Sequence, residues 1–286
     1  MTSVALISDI HGNLPALEAV SADLRGWEPD AVYVLGDMVN GACWSAEVLD
    51  LLIDYGWPML IGNHDDAVLQ LGTARMEPRY ADQRLYAALW WTRRSLLPGH
   101  IAALEELPMD RLIGLPGAPP LRVVHGLPGD FFRGFRPESP ESWAISRLSG
   151  LAERNVGAGH THVAMERRFG EWLVFNSGSV GVPYDGDVRA SYMRLVSGPR
   201  GWHSEIRRVF YDLRTVERGF RDSGLADKGG VMARMFLRSI LTAQPWVADY
   251  AWWLRSQPPE YTVDVEQTEQ RYLASHGPGR WSFPVV

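Results

Sequence analysis

The sequence predicts an α/β fold: two mixed β-sheets packed in layers, flanked by helices, with a helical extension at the C-terminal end. Three observations predict it. Short apolar runs of strand length alternate with helix-spaced segments at the start of the chain. Strand patterns separated by Gly and Pro turns dominate from Met165 to Val209, and the period turns helical from Asp212 onward.

Taken in order, SVALIS (Ser3–Ser8) has a buried-strand pattern, and Leu14–Arg25 has helical spacing with Pro15 in its first turn. AVYVL (Ala31–Leu35) is a second strand, Ala46–Tyr55 a helix and PMLI (Pro58–Ile61) a third short strand. This βαβαβ start argues for parallel pairing. Residues 64–107 read as a helical insert, with Leu85, Leu89, Trp90, Ile101 and Leu104 at helical intervals. Leu121–Gly126 is a strand, Ser142–Leu151 a helix and Asn155–Gly159 a strand; MERRF, EWLVF, ASYMRLV and HSEIRRVF follow as strands. An amphipathic helical section runs from Asp212 to about Trp253, and proline breaks the tail from Pro258. Residues 1–211 are therefore expected to form one domain. Residues 212–286 form a helical extension and tail, expected to pack on the chain's own core ahead of a homo-oligomer interface or a lid.

With 286 residues, 46% hydrophobic and 22% charged, the chain can bury a large core. Its longest apolar runs are strand-sized, so no membrane partner is expected. MTSVALISD lacks a basic n-region, and the lone Cys43 allows no intramolecular disulfide; both fit a cytoplasmic protein. A formal net charge of −6 counts against extended nucleic acid as a partner.

Chemistry concentrates where strands end. Of eight histidines, five stand beside or within glycine-flanked stretches: His11 in SDIHGN, His64 in IGNHDD, His125 in VVHGLP, and His160 and His162 in GAGHTH. LGDMVN adds Asp37. Ligands of open α/β sheets bind beyond the carboxyl ends of strands. Distant segments can therefore deliver Asp9, His11, Asp37, Asn63, His64, His125, His160 and His162 to one place, with glycines letting the backbones approach. Singly each is weak, since Asp9 and Asn63 suit turns and a lone histidine suits a hydrogen bond. Five histidines and two aspartates in one local context favour a metal site. His100, His203 and His276 lack that context and are read as ordinary residues.

As an ordered set, D-x-H (Asp9–His11), G-D (Gly36–Asp37), G-N-H-D (Gly62–Asp65), H-G (His125–Gly126) and G-H-x-H (Gly159–His162) resemble the calcineurin-like metallophosphoesterase superfamily. Asn176–Tyr192 resembles a core-closing segment of its small prokaryotic phosphodiesterase branch. The resemblance implies two divalent transition-metal ions. Asp9, His11 and His162 would hold one, Asn63, His125 and His160 the other, and Asp37 would bridge them. It implies His64 as a catalytic acid beside the leaving group, with Asp65 completing the motif and orienting His64. The mixed nitrogen and oxygen ligands suit Mn, favoured here, or Fe, Zn, Co or Ni better than Mg or Ca. The implied reaction is in-line attack of a metal-bridging hydroxide on a small phosphoester, a nucleotide or cyclic nucleotide among the candidates. A phosphodiesterase is expected first, a phosphomonoesterase or nucleotide phosphatase second. The rival outside enzymes is a non-catalytic scaffold, which loss of ligand positions would mark; none is lost. Protein phosphatases of the superfamily carry G-D-x-V-D-R-G and G-N-H-E, whereas GDMVNGA and GNHD stand here, so Asn40 and Gly41 replace an acid and a phosphate-gripping arginine.

For the substrate side, GLPGDFFRGFR offers Arg133 and Arg136 interleaved with Phe131, Phe132 and Phe135. A stacking and phosphate-binding rim and an ordinary surface loop weigh equally there. Asn13 either reaches a phosphate oxygen or caps the following helix. Cys43 has no histidine near it in sequence and is assigned no role.

Overall fold

Apolar alternation sets the strands. The computed structural model describes residues 1–258 and 264–275. Its strands are β1 (Ser3–Ile7), β2 (Ala31–Val34), β3 (Asp110–Ile113), β4 (Leu121–Val124), β5 (Asn155–Ala158), β6 (Met165–Phe169), β7 (Trp172–Asn176), β8 (Ala190–Gly198) and β9 (Gly201–Val209). The helices are α1 (Leu14–Trp27), α2 (Ser45–Tyr55), α3 (Asn63–Gln70), α4 (Ala87–Ser95), α5 (Pro98–Glu105) and α6 (Glu141–Leu148), then α7 (Leu213–Asp222), α8 (Leu225–Lys228), α9 (Gly230–Thr242), α10 (Trp246–Arg255) and α11 (Val265–Ser275).

One sheet has the order β2-β1-β8-β9 and the other β3-β4-β5-β7-β6. Both are mixed: β1 runs parallel to β2 and antiparallel to β8, while β5 runs parallel to β4 and β7, with β3 antiparallel to β4 and β6 antiparallel to β7. Side chains alternate between faces along each strand. Val4 and Leu6 of β1 therefore meet Val123, Phe175 and Leu195 between the sheets, whereas Ala5 and Ile7 face the layer of α1 and α2. Burying a side chain such as Leu6 contributes about 1.5–3 kcal/mol. On the outer face of the second sheet, Val124, Val156 and Val174 pack with Ala144 and Leu148 of α6. The layered sandwich of two mixed sheets is as expected.

Three local expectations need correction. Pro58–Ile61 makes one parallel bridge, Met59 to Val34, and no strand. Pro58 has no N–H to donate, and the chain turns at Gly62 into α3, so the ladder cannot grow. The sequence reading missed β3, whose exposed Asp110, Arg111 and Leu112 hide the strand pattern; its antiparallel pairing with β4 makes it an edge. The tail contains α11, and His276 lies outside the described residues.

The C-terminal helices share a core with the front of the chain. Val216, Phe220, Phe236, Ile240 and Tyr250 cluster with Ala42, Cys43, Ala88 and Val182. Among the described residues, no helix is long and apolar enough to cross a membrane.

Candidate metal centre

The site is built first from backbone. Asp9 N–H donates to Gly36 O at 3.0 Å, His11 N–H to Asp37 O at 2.9 Å and Gly12 N–H to Met38 O at 2.8 Å, zipping together the loops that leave β1 and β2. Of the eight described non-glycine residues at positive φ, six are here: Asp9, His11, Asp37, Asn40, His160 and His162. The other two, Glu28 and Ala243, end helices. Such strain persists where the surroundings over-determine it, and it gathers at functional sites. Glycines give the remaining clearance. A Cβ at Gly62 would strike Asp37 Oδ1, and one at Gly159 would strike Ser8 Oγ.

The imidazoles are aimed by carbonyls. His11 Nδ1 lies 2.9 Å from Asn40 O, His125 Nδ1 lies 2.7 Å from Leu35 O, and His162 Nδ1 bonds Val182 O. A carbonyl only accepts, so each Nδ1 carries a proton and each Nε2 is the atom turned inward. This is how metal-ligating histidines are usually oriented. Around Asp9, His11 Nε2 and His162 Nε2 face each other at 3.2 Å, and His162 Nε2 is 3.2 Å from Asp9 Oδ1. Asp9 Oδ1 is buried without a hydrogen-bond partner. In the second group, Asn63 Oδ1 lies 3.1 Å from His125 Nε2 and 2.9 Å from His160 Nδ1. Asp37 Oδ2 stands between the groups, 3.7 Å from His11 Nε2 and 3.4 Å from His125 Nε2. Asp9, His11, Asp37 and His162 thus form one set able to hold an ion, and Asp37, His125 and His160 another, with Asp37 common to both. Imidazole nitrogens and carboxylate oxygens gathered within 4.8 Å of one another in a buried space are a donor set for cations, so the residues fit a pair of metal ions.

Electrostatics agree. Burial pushes His11 and His160 down to about 3, leaving them neutral donors. Burial also opposes ionisation of Asp9, but the His162 imidazole beside it draws its carboxyl down to about 2. Burial penalises a charge on His125, yet Asp37 raises it to about 9. The site pulls positive charge onto its own ligands.

His64 lies at the start of α3, and its backbone N–H donates to Asp37 Oδ1 at 2.8 Å. Its Nδ1 is 2.7 Å from Asn40 Nδ2, so the Asn40 amide engages Nδ1 and Nε2 is left for the cavity. The expected orientation of His64 by Asp65 is not what the fold builds. At the third position of α3 the Asp65 carboxylate turns back over the helix start, where free N–H groups gather. It accepts from the N–H groups of Asp37 (2.8 Å), Met38 (3.0 Å), Val39 (3.2 Å) and Gly62 (2.9 Å). Asp65 therefore shapes the Asp37 loop, and Asn40 is the partner of His64.

Asn13 is also corrected. It is wholly buried; its Oδ1 accepts from Ala16 N–H at 3.3 Å as the cap of α1, and its Nδ2 donates to Gly181 O at 2.9 Å. Every polar atom of that amide is engaged by the fold, so it does not serve the substrate. Arg133 and Arg136 do line a cavity of about 690 Å³ that opens onto Asp37, Asn63, His64, His160 and His162. Phe132 is exposed beside them, while Phe135 is buried under α6, so the loop is half rim and half core. Burial lowers the Arg136 guanidinium. Cys43 is buried and its thiol pushed up to about 11 by that burial, in keeping with no reactive role.

One contribution was legible in sequence only as a core-closing segment, and a second escaped sequence reasoning. The Asn176–Val182 segment straps the Asp9 loop: Ser179 Oγ donates to Asp9 O at 2.7 Å and Asn176 Nδ2 to Gly159 O at 2.7 Å, while Tyr184 stacks on His162 at 4.3 Å. The small residues of NSGSVGV were the signal. Phe236 of α9 lies 5.7 Å from the His11 ring and 5.9 Å from His64, and α9 and α10 roof the cavity. Nothing in their periodicity told which surface they cover.

A model of the calcineurin-like phosphoesterase family matches residues 2–127. A metallophosphoesterase from Sphaerobacter thermophilus is similar in structure, with 26% identity and a TM-score of 0.68 over 85% of this chain and 99% of that one. A hypothetical protein from Pyrococcus horikoshii shares the fold at 19% identity and a TM-score of 0.72, again over 85% of this chain and 99% of its own. An uncharacterized protein of Methanocaldococcus jannaschii is 28% identical over 231 residues, which is 74% of this chain and 88% of that relative. Family match, shared fold and a doubly lobed ligand cluster agree: residues 2–127 match the calcineurin-like phosphoesterase family, and the chain is similar in fold to a metallophosphoesterase.

Proposed function

We propose that this phosphoesterase works with two divalent transition-metal ions, Mn favoured, and that it is a phosphodiesterase. The observation that carries the reading is the convergence of buried ligand atoms on both sides of Asp37. When bound, two such ions supply an activated water and neutralise charge on the phosphoryl oxygens. The protein's own part is to hold the ligands and to move one proton. Asp9, His11 and His162 would hold one ion, Asn63, His125 and His160 the other, and Asp37 both. His64, with Nδ1 held by the Asn40 amide, would act as imidazolium and donate from Nε2 to the departing alkoxide, and Asn40 Oδ1, buried without another partner, can turn to accept from Nδ1–H. With two carboxylates and neutral imidazoles, the loaded centre would carry a small positive charge that suits a diester monoanion. No arginine stands at Gly41 to grip the further charge of a monoester. All ligand positions are present, which weighs against a non-catalytic scaffold. The lone Cys43, with no second cysteine in the sequence to pair with, fits a reducing cytoplasm as the compartment.

Reconstitution with Mn followed by elemental analysis should find two ions per chain. The loaded protein should hydrolyse bis(p-nitrophenyl) phosphate faster than p-nitrophenyl phosphate. An absence of bound metal overturns the dinuclear centre, and a preference for the monoester overturns the diesterase assignment.

A further inference from the structure

We propose, building on the hydrolase reading above, that the cavity is shaped for a nucleotide carrying at least two phosphate groups, with α9 and α10 as its specificity-determining roof. Size is the first reason. At about 690 Å³ the space is far larger than one phosphate needs and falls in the range of pockets that enclose a whole nucleotide-sized ligand.

Charge is the second. Apart from Asp37, which belongs to the metal centre, the described lining contains one acid, Glu77, against Arg79, Arg133, Arg136 and Arg255. Glu77 is committed to Arg79 at 2.8 Å, Arg133 has Asp130 only at 3.9 Å, and Arg136 stands in the field of Glu138 and Asp249, which lie outside the lining. Such a surplus stands out in a chain of net charge −6. A phosphate seated at the metal centre is already matched there, so the arginines of the wall call for a second anionic group on the same ligand. Arginine meets phosphate oxygens with a planar fork of donors.

Aromatic surface is the third. Phe132 from the loop and Trp252 from α10 stand at the cavity with 51% and 40% exposure, whereas the other large aromatics of the lining are more deeply set. Open ring faces next to guanidinium groups are what a base needs, since every base has a π-face to stack. The roof begins over the metal ligands at Phe236 and continues along α10 to Trp252 and Arg255. One molecule can therefore present a phosphate to His64 and a base to Trp252.

The test is calorimetric binding to the Mn-loaded full chain. The probes are adenosine 5′-(α,β-methylene)diphosphate, which resists hydrolysis, AMP, and methylenediphosphonate without a base. The methylene diphosphate of adenosine should bind at least about tenfold tighter than either of the others. Trp252→Ala should weaken it roughly five- to hundredfold, the range that stacking on a base supplies. Arg136→Gln and Arg255→Gln should each remove the advantage over AMP, with melting temperatures and metal content held at wild-type values. Equal affinity for AMP overturns the second phosphate, equal affinity for methylenediphosphonate overturns the base, and an unchanged Trp252→Ala overturns the roof. Hydrolysis of bis(p-nitrophenyl) phosphate by the wild type is scored separately: its absence sinks the hydrolase reading while the binding series still judges the cavity.

Discussion

The strand-end loops and the C-terminal helices meet at one cavity but are held by opposite means. The loops are fixed by backbone: interloop N–H to carbonyl bonds, six side-chain-bearing residues at positive φ, and the four N–H groups gathered by Asp65. The helices are fixed by side-chain packing, with Phe236, Ile240 and Tyr250 in one apolar cluster. Backbone fixation sets atoms to fractions of an ångström, which metal geometry needs, while an apolar interface tolerates exchange of one hydrophobic shape for another. The molecule thus pairs a rigid reaction centre with a roof whose lining can change without disturbing it.

The largest effect should come from the centre. Asp37→Ala should remove both ions together, because its carboxylate stands between the two ligand groups, and activity should fall to background. A variant that keeps both ions by elemental analysis would take Asp37 out of the bridge.

Next is His64→Ala, which should keep its metal and lose about 10²–10⁴-fold on a nucleoside or alkyl leaving group. The loss on a nitrophenyl ester should be much smaller, since nitrophenolate departs without a proton. Equal losses on both esters would make His64 a phosphate-positioning group and not the acid.

Asp65→Asn probes the backbone fixation itself. It replaces one of the two acceptor oxygens with an amide NH₂ facing N–H donors, so metal affinity should fall about 10–100-fold, as for other outer partners of metal ligands. The activity lost at limiting metal should be the same for both esters. A loss confined to the poor leaving group would return Asp65 to His64.

Phe236→Ala tests the other region. The side chain is 3% exposed, so stability should drop by about 3 kcal/mol or somewhat more, measured by urea unfolding. Metal content should hold. If metal is lost, the roof is part of the cradle and the two regions are one.

The smallest effect belongs to Asn13→Ala, which removes the α1 cap and should cost about 1 kcal/mol with KM unchanged. A raised KM would restore the substrate contact that burial of Asn13 argues against.

Legibility followed the same division. The D-x-H, G-N-H-D and G-H-x-H patterns were readable because a metal site needs particular atoms next to glycines that let loops touch, and both demands are local. The segment Pro58–Ile61 misread as a strand because four apolar residues look alike whether they extend a ladder or make one bridge. Asn13 and Asp65 each had two uses open to them, and a residue type cannot choose between them.

By itself the sequence determined the α/β class, the alternating faces of the strands and the identities of the metal-ligand candidates, since each follows from residue chemistry at short range. Only the tertiary structure decided which carbonyl aims each imidazole, that Asn40 rather than Asp65 meets His64, and that α9 and α10 close over the site. The physical reason is that helical apolar spacing states that a face is buried without naming its partner. Partners distant in sequence, such as Phe236 and His11, are chosen by the packing of whole layers.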